Sequence, residues 1–155
     1  MKKSFIVLFS FCAMAFSANS QTTNDYLEMT REVMQVEAKA AIAEVMQLTE
    51  AESQPFWNLY NEYTAELYKV NNMLIAVVKD YAANYENMTD EKADELWLQS
   101  MKYKGEILSL KKSYYNKFKK ILPTAKAVRF FQADNKIEAL INAQLALEIP
   151  MIETK

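Results

Sequence analysis

Glycine and proline, the residues that most often interrupt helices, are nearly missing from this chain. Its 155 residues contain one glycine and three prolines. A backbone with so few turn-forming residues favours long helices. The apolar residues also recur with a helical period over long stretches of the sequence. Together these features predict an all-α protein of four long amphipathic helices.

Short polar breaks set the bounds of the predicted helices. Thr49-Glu50-Ala51-Glu52 is a capping box, in which a threonine and a glutamate three residues later satisfy the first backbone amides of a helix. Thr89 is the predicted cap of the next helix, and residues 122–124 separate the last two helices. The predicted helices span residues 25–46, 50–85, 90–121 and 125–147.

The amino terminus has the pattern of a secretory signal peptide. Met1-Lys2-Lys3 is positively charged, residues 5–16 are mostly apolar, and Ala18 and Ser20 are small residues at the cleavage positions. Cys12 follows a phenylalanine, whereas lipid attachment requires a small residue there. We therefore expect residues 1–20 to be removed. Residues 21–155 are expected to form one helical domain that is exported and soluble, without stable insertion in a membrane.

The composition excludes several classes of function. The chain has no histidine, which excludes a Ser-His-Asp triad and a histidine-ligated zinc site. A single glycine excludes a glycine-rich phosphate-binding loop, and the one cysteine lies in the predicted signal peptide. Acidic clusters at the helix starts are explained by their favourable interaction with the helix dipole. We expect no enzymatic activity, no cofactor and no metal site.

Acidic and basic residues are separated along the chain. Residues 25–95 contain 15 acidic and 5 basic side chains, whereas residues 102–136 contain 2 acidic and 10 basic ones. This complementarity predicts that the two parts pack against each other, within one chain or across a homodimer. The alternative is a cationic face that captures anionic partners. In an exported protein the basic segment is not a sign of nucleic acid binding.

The second and third predicted helices each carry an additional apolar and aromatic stripe beside the one that faces the core. A four-helix monomer needs only one buried face per helix, so this stripe needs an explanation. Three explanations remain open: the rim of the core covered by lysine stems, a dimer interface, or a surface that binds other molecules. The candidate binding residues are Trp57, Tyr68, Ile75, Trp97, Lys104, Lys111, Tyr115 and Lys119.

An aspartate interrupts the apolar stripe of the fourth helix. Asp134 is in helical register with Phe130, Ile137 and Ile141. A buried carboxylate needs a partner. The sequence therefore predicts an ion pair between Asp134 and a lysine of the third helix.

Two short segments carry a resemblance to a known family. Leu48-Thr49-Glu50-Ala51-Glu52, at the start of a long helix, resembles the Leu-Thr-x-x-Gln motif of Spy/CpxP-type periplasmic proteins. Leu122-Pro123-Thr124-Ala125-Lys126 lies where the second copy of that motif would fall. Glu52 and Lys126 replace the two glutamines, and Pro123-Thr124 inverts the usual Thr-Pro order. The motif residues are Leu48, Thr49, Glu52, Leu122 and Thr124.

The resemblance implies a fold, a location and a function. The implied assembly is a curved antiparallel dimer of four-helix chains in the periplasm. The implied function is that of an ATP-independent chaperone, a holdase that shelters unfolded or partly folded exported proteins. The alternative is a regulatory protein that docks on a membrane stress sensor or a sigma-factor signalling partner.

Overall fold

The computed structural model describes the backbone of residues 20–152 and the side chains of Arg31 and residues 33–152. Within this range all regular structure is helical: α1 (Ser20–Met46), α2 (Glu50–Asn84), a 3₁₀ turn (Tyr85–Asn87), α3 (Asp90–Ile121) and α4 (Thr124–Glu148). The predicted all-α class with four helices is confirmed. The predicted signal peptide lies outside the described residues, apart from Ser20. None of the described helices combines the length and the apolarity needed to cross a membrane.

Threonine caps fix the starts of α2 and α3. The Thr49 hydroxyl accepts a hydrogen bond from the Glu52 amide at 3.4 Å, and Glu52 Oε2 accepts one from the Thr49 amide at 2.9 Å. The predicted capping box is therefore present. The Thr89 hydroxyl accepts a hydrogen bond from the Lys92 amide at 3.2 Å. α4 starts without such a bond, after Pro123, whose φ of −54° already suits a helix.

The chain divides into two units within α1, after Glu37. In the described range, the first unit consists of the amino-terminal part of α1. The second unit begins at Ala38 and contains the last turns of α1 together with α2, α3 and α4. Within this second unit, α1 contributes Ile42 and Met46 to the buried core. The turn that follows passes through Gln47, whose positive φ of 48° ends the helix.

α2 and α3 form an antiparallel hairpin. Phe56, near the start of α2, contacts Phe118, near the end of α3, with ring centroids 5.4 Å apart. Further along, the Tyr103 hydroxyl of α3 donates a hydrogen bond to Asn71 of α2 at 3.1 Å. This order of contacts places the end of α3 beside the beginning of α2.

α4 lies along the hairpin, antiparallel to α3 and parallel to α2. The Tyr63 hydroxyl donates to Asp134 Oδ2 at 2.9 Å, and the Tyr81 hydroxyl donates to the backbone carbonyl of Pro150 at 2.7 Å. The start of α4 is thereby brought beside the start of α2, where the two resembling motifs lie.

The core is concentrated at this end of the bundle. Its aromatic centre is fully buried, and the rings contact one another edge to face or tilted, the arrangement that aromatic quadrupoles favour. The apolar stripe of α2 beyond residue 66 is only half-buried, although its helical period continues to Tyr85. The fully buried side chains at this end include Phe56, Tyr63, Phe118 and Phe130, together with Ile42 and Met46 of α1.

Candidate functional site

The two motifs meet through an ion pair. Lys126 Nζ lies 2.5 Å from Glu52 Oε2 and 3.4 Å from the backbone carbonyl of Gln47. Glu52 also closes the capping box with Thr49. One carboxylate therefore fixes the start of α2 and ties α4 to the turn that precedes it.

The ionised form of Glu52 is strongly favoured in this arrangement. The hydrogen bonds from Lys126 and from the Thr49 amide lower the pKa of Glu52 from 4.5 to about 2. Glu52 and Lys126, which stand at the two glutamine positions of the motif that these segments resemble, are thus the two partners of this pair. An amide pair would supply hydrogen bonds without charge, whereas this pair depends on both residues being ionised.

The other motif residues differ in how far they are buried. Leu122 is buried in the core, and Leu48 is half-buried against it. Thr124 is exposed at the first position of α4. The two leucines therefore anchor the turns at this end of the bundle in the core.

Asp134 has the partner that the sequence predicts. Lys111 of α3 lies 2.8 Å from Asp134 and 2.5 Å from Glu138, and it also donates to Asn135 at 2.7 Å. Tyr63 completes the network by donating its hydroxyl to Asp134. The network joins α2, α3 and α4 at the edge of the aromatic core.

The side chain of Lys111 is largely buried in this network, and its charge is neutralised there. The Lys111 side chain is only 14% exposed. Burial disfavours its charge, but the adjacent carboxylates of Asp134 and Glu138 outweigh that effect and raise the pKa of Lys111. Burial, followed by the charge of Asp134, raises the pKa of Tyr63. Lys111 is one of the predicted binding residues, but the structure uses its charge to hold α4 on α3.

The first two thirds of α3 present an exposed apolar face. Trp97 is 61% exposed and Leu108 is 71% exposed. Lys104 lies between them in the sequence, with Nζ 5.9 Å from the centroid of the Trp97 ring. At this distance the cation interacts weakly with the ring face, and the ammonium group remains in solvent. We refer to Trp97, Lys104 and Leu108 as the α3 face.

The remaining candidates on α3 lie toward the core end of the helix. Tyr115 is half-buried against Phe131, with ring centroids 5.9 Å apart, and Lys119 Nζ is 4.7 Å from the Tyr115 ring. Eighteen residues separate Trp97 from Tyr115, which is roughly 27 Å along a helix. The predicted residues of α3 therefore form an elongated strip rather than a compact site.

The candidates on α2 are less exposed than Trp97. Trp57 packs edge to face on Phe56 and Tyr60, and Lys39 of α1 lies over its ring at 5.4 Å. Tyr68 and Ile75 are half-buried on the same helix. Trp57 thus behaves as the rim of the core, one of the three explanations that the sequence left open.

Several exposed apolar residues were not among the predicted site residues. Leu98 and Met101 lie on α3 beside the α3 face, and Leu140 and Leu147 lie on α4. The first two could have been found from their position next to Trp97 on the helix. A further feature, the contact of Tyr81 and Tyr85 with the carboxyl-terminal residues, leaves no recognisable signal in the sequence.

The described part of the chain contains no cluster of three or more acidic, histidine or cysteine side chains placed to hold a metal ion. Its titratable networks, at Glu52 and at Asp134, join helices to one another. No protein-family model, curated protein or solved structure matches the chain.

Proposed function

We propose that this chain is an exported, ATP-independent holdase of the Spy/CpxP type that binds unfolded or partly folded proteins in the periplasm. The observation that carries the proposal is the α3 face, with two large apolar side chains exposed beside a lysine. Large apolar side chains exposed along one face of a helix are a feature of surfaces that bind other proteins.

The composition of the α3 face suits weak binding of many clients. Trp97 and Leu108 provide apolar contact area, which does not depend on a particular client sequence. Lys104 attracts acidic segments over a distance and raises the association rate. Leu98 and Met101 extend the exposed surface, and methionine adapts to irregular partners. Contacts that are individually weak allow release without ATP.

The same surface would also serve a regulator that docks on one membrane stress sensor. The number of unrelated client proteins that the chain binds distinguishes the two functions. A holdase slows the aggregation of several unrelated unfolded proteins at near-stoichiometric amounts, and we expect this result for purified residues 21–155. Suppression of none of them would contradict the proposed function and would leave the dedicated regulator as the better explanation.

Charge reversal tests the contribution of the exposed lysines. The variant Lys104→Glu with Lys119→Glu should capture clients more slowly, most strongly at low salt, because screening already weakens the attraction at high salt. Lys112→Glu with Lys120→Glu is a control with the same change of charge on the same helix, at two exposed positions outside the strip. Equal capture rates for the two variants at low salt would show that Lys104 and Lys119 do not belong to the binding surface.

A further inference from the structure

Tyr81 of α2 and Tyr85, the first residue of the 3₁₀ turn that follows α2, hold the residues that come after α4. The Tyr81 hydroxyl donates to the backbone carbonyl of Pro150 at 2.7 Å, and the Tyr85 hydroxyl donates to that of Met151 at 3.3 Å. The tyrosines are one helical turn apart, with ring centroids separated by 5.7 Å. The held segment has left the helix, since Ile149 has extended backbone angles of φ −92° and ψ 113°.

Both hydrogen bonds of this contact are made to the backbone of the held segment. Both acceptors are backbone carbonyls, which every residue type provides. The Met151 side chain is 87% exposed, so it contributes little to the contact. Pro150 cannot continue a helix, which leaves the carbonyls around it free to accept hydrogen bonds from elsewhere.

The tyrosines are suited to remain donors. A tyrosine hydroxyl with its ordinary pKa of about 10 is already protonated at neutral pH. Partial desolvation and, to a smaller extent, the neighbouring Tyr85 raise the pKa of Tyr81 further. Each residue offers one hydroxyl donor on a rigid ring. The hydrogen bonds are exposed to solvent, and the Tyr85 bond is long for an O–H donor. The segment is therefore held weakly enough to be replaced.

We propose that Tyr81 and Tyr85 form a binding site for the backbone of an extended polypeptide segment. In this structure the chain's own carboxyl-terminal residues occupy the site, and an extended segment of another polypeptide replaces them. The site is separate from the α3 face and does not depend on the proposed holdase function. Its ligand class is defined by unpaired backbone carbonyls, which an extended segment has along its whole length and a helix has only in its last turn.

The carboxyl-terminal segment belongs to the same chain as the two tyrosines, and this determines how much competing peptide is needed to replace it. A segment joined to its site by a short link is present at an effective concentration in the millimolar range. A competing peptide must therefore be supplied at about that concentration.

The first part of the test measures whether the two hydroxyls hold the tail. A nitroxide label is placed at position 151 in the full chain carrying Met151→Cys and Cys12→Ser, and its mobility is measured by electron paramagnetic resonance. Adding Tyr81→Phe and Tyr85→Phe should increase the mobile population, because each lost hydrogen bond shifts the docking equilibrium by roughly 2- to 10-fold. A label equally mobile with and without the hydroxyls would overturn the proposal.

The second part measures replacement by another polypeptide. A synthetic peptide with the sequence of residues 147–155, added at millimolar concentration, should increase the mobile population of the label. A helical alanine-rich peptide is the control, because all but its last four carbonyls are already bonded within the helix. The extended peptide should have no further effect on the double phenylalanine variant. A label that does not respond to the extended peptide, or responds equally to both peptides, would overturn the site as a binding site for other segments.

Discussion

Glu52 joins a helix cap and an interhelical ion pair in one side chain, and its lowered pKa connects stability to pH. The ionised carboxylate contributes stability above the ordinary pKa of 4.5, and this contribution is lost as the pH falls toward about 2. Glu52→Gln should therefore be less stable than the natural chain at pH 7, with a difference that shrinks between about pH 4.5 and pH 2. Urea unfolding at several pH values measures it.

The control for this prediction is Glu50→Gln. Glu50 lies in the same first turn of α2 and is exposed, but the capping box and the ion pair with Lys126 both use Glu52. A destabilisation by Glu50→Gln at pH 7 equal to that by Glu52→Gln would assign the effect to the helix dipole rather than to the Lys126 pair.

Lys111 gives a second prediction at the scale of single residues. Lys111→Met leaves Asp134 and Glu138 without their cation at a site that is mostly shielded from water. We expect a loss of roughly 1–3 kcal/mol in the free energy of unfolding, the range for a buried polar group deprived of its partner. Lys112→Met, at the exposed neighbouring position, should change it by less than about 0.5 kcal/mol. Similar values for both variants would show that the network contributes no stability.

At the scale of helices, the uneven core predicts an uneven local stability. The first half of α2 and the last third of α3 contain the fully buried aromatic residues of these two helices, whereas the opposite ends of both helices have fewer buried side chains. Regions with fewer buried contacts open more readily. Amide hydrogen exchange should therefore be slower for residues 56–67 than for residues 74–84, by about tenfold or more once intrinsic rates are removed. Uniform protection along α2 would contradict this interpretation of the core.

The helical elements could be predicted from the sequence because helix period and threonine caps are local signals. The apolar period of α3 predicts a core stripe of six residues. Four of them are buried, Leu96, Tyr103, Ile107 and Tyr114, and two are half-buried, Leu110 and Ile121. The position of Lys111 could not be predicted from its own helix. It lies between the core stripe and the exposed strip, and only the path of α4 decides which of the two it joins. The half-burial of α2 beyond residue 66 likewise depends on packing, since its sequence period does not change.

For the whole molecule, the separated charges and the surplus apolar surface predict a homodimer. Part of the contact is expected between acidic residues of α1 or α2 and the basic segment of α3. Exposed charge pairs are screened over about 8 Å at physiological salt. Dimerisation should therefore weaken at high salt without disappearing, because the apolar contribution remains. Sedimentation equilibrium checks this, and a monomer at tens of micromolar in low salt would contradict it.

The central claim is that the α3 face binds unfolded clients, and a paired comparison of aggregation suppression tests it most directly. One variant carries Trp97→Ala and Leu108→Ala, and the other carries Leu140→Ala and Leu147→Ala, which removes similarly exposed apolar side chains from α4. Both should keep the helical signal and melting temperature, because exposed substitutions change stability little. We expect the α3 variant to need about tenfold more protein for the same suppression, the effect of roughly 1.4 kcal/mol in binding. The α4 variant should match the natural chain, whereas full activity in the α3 variant would contradict the account.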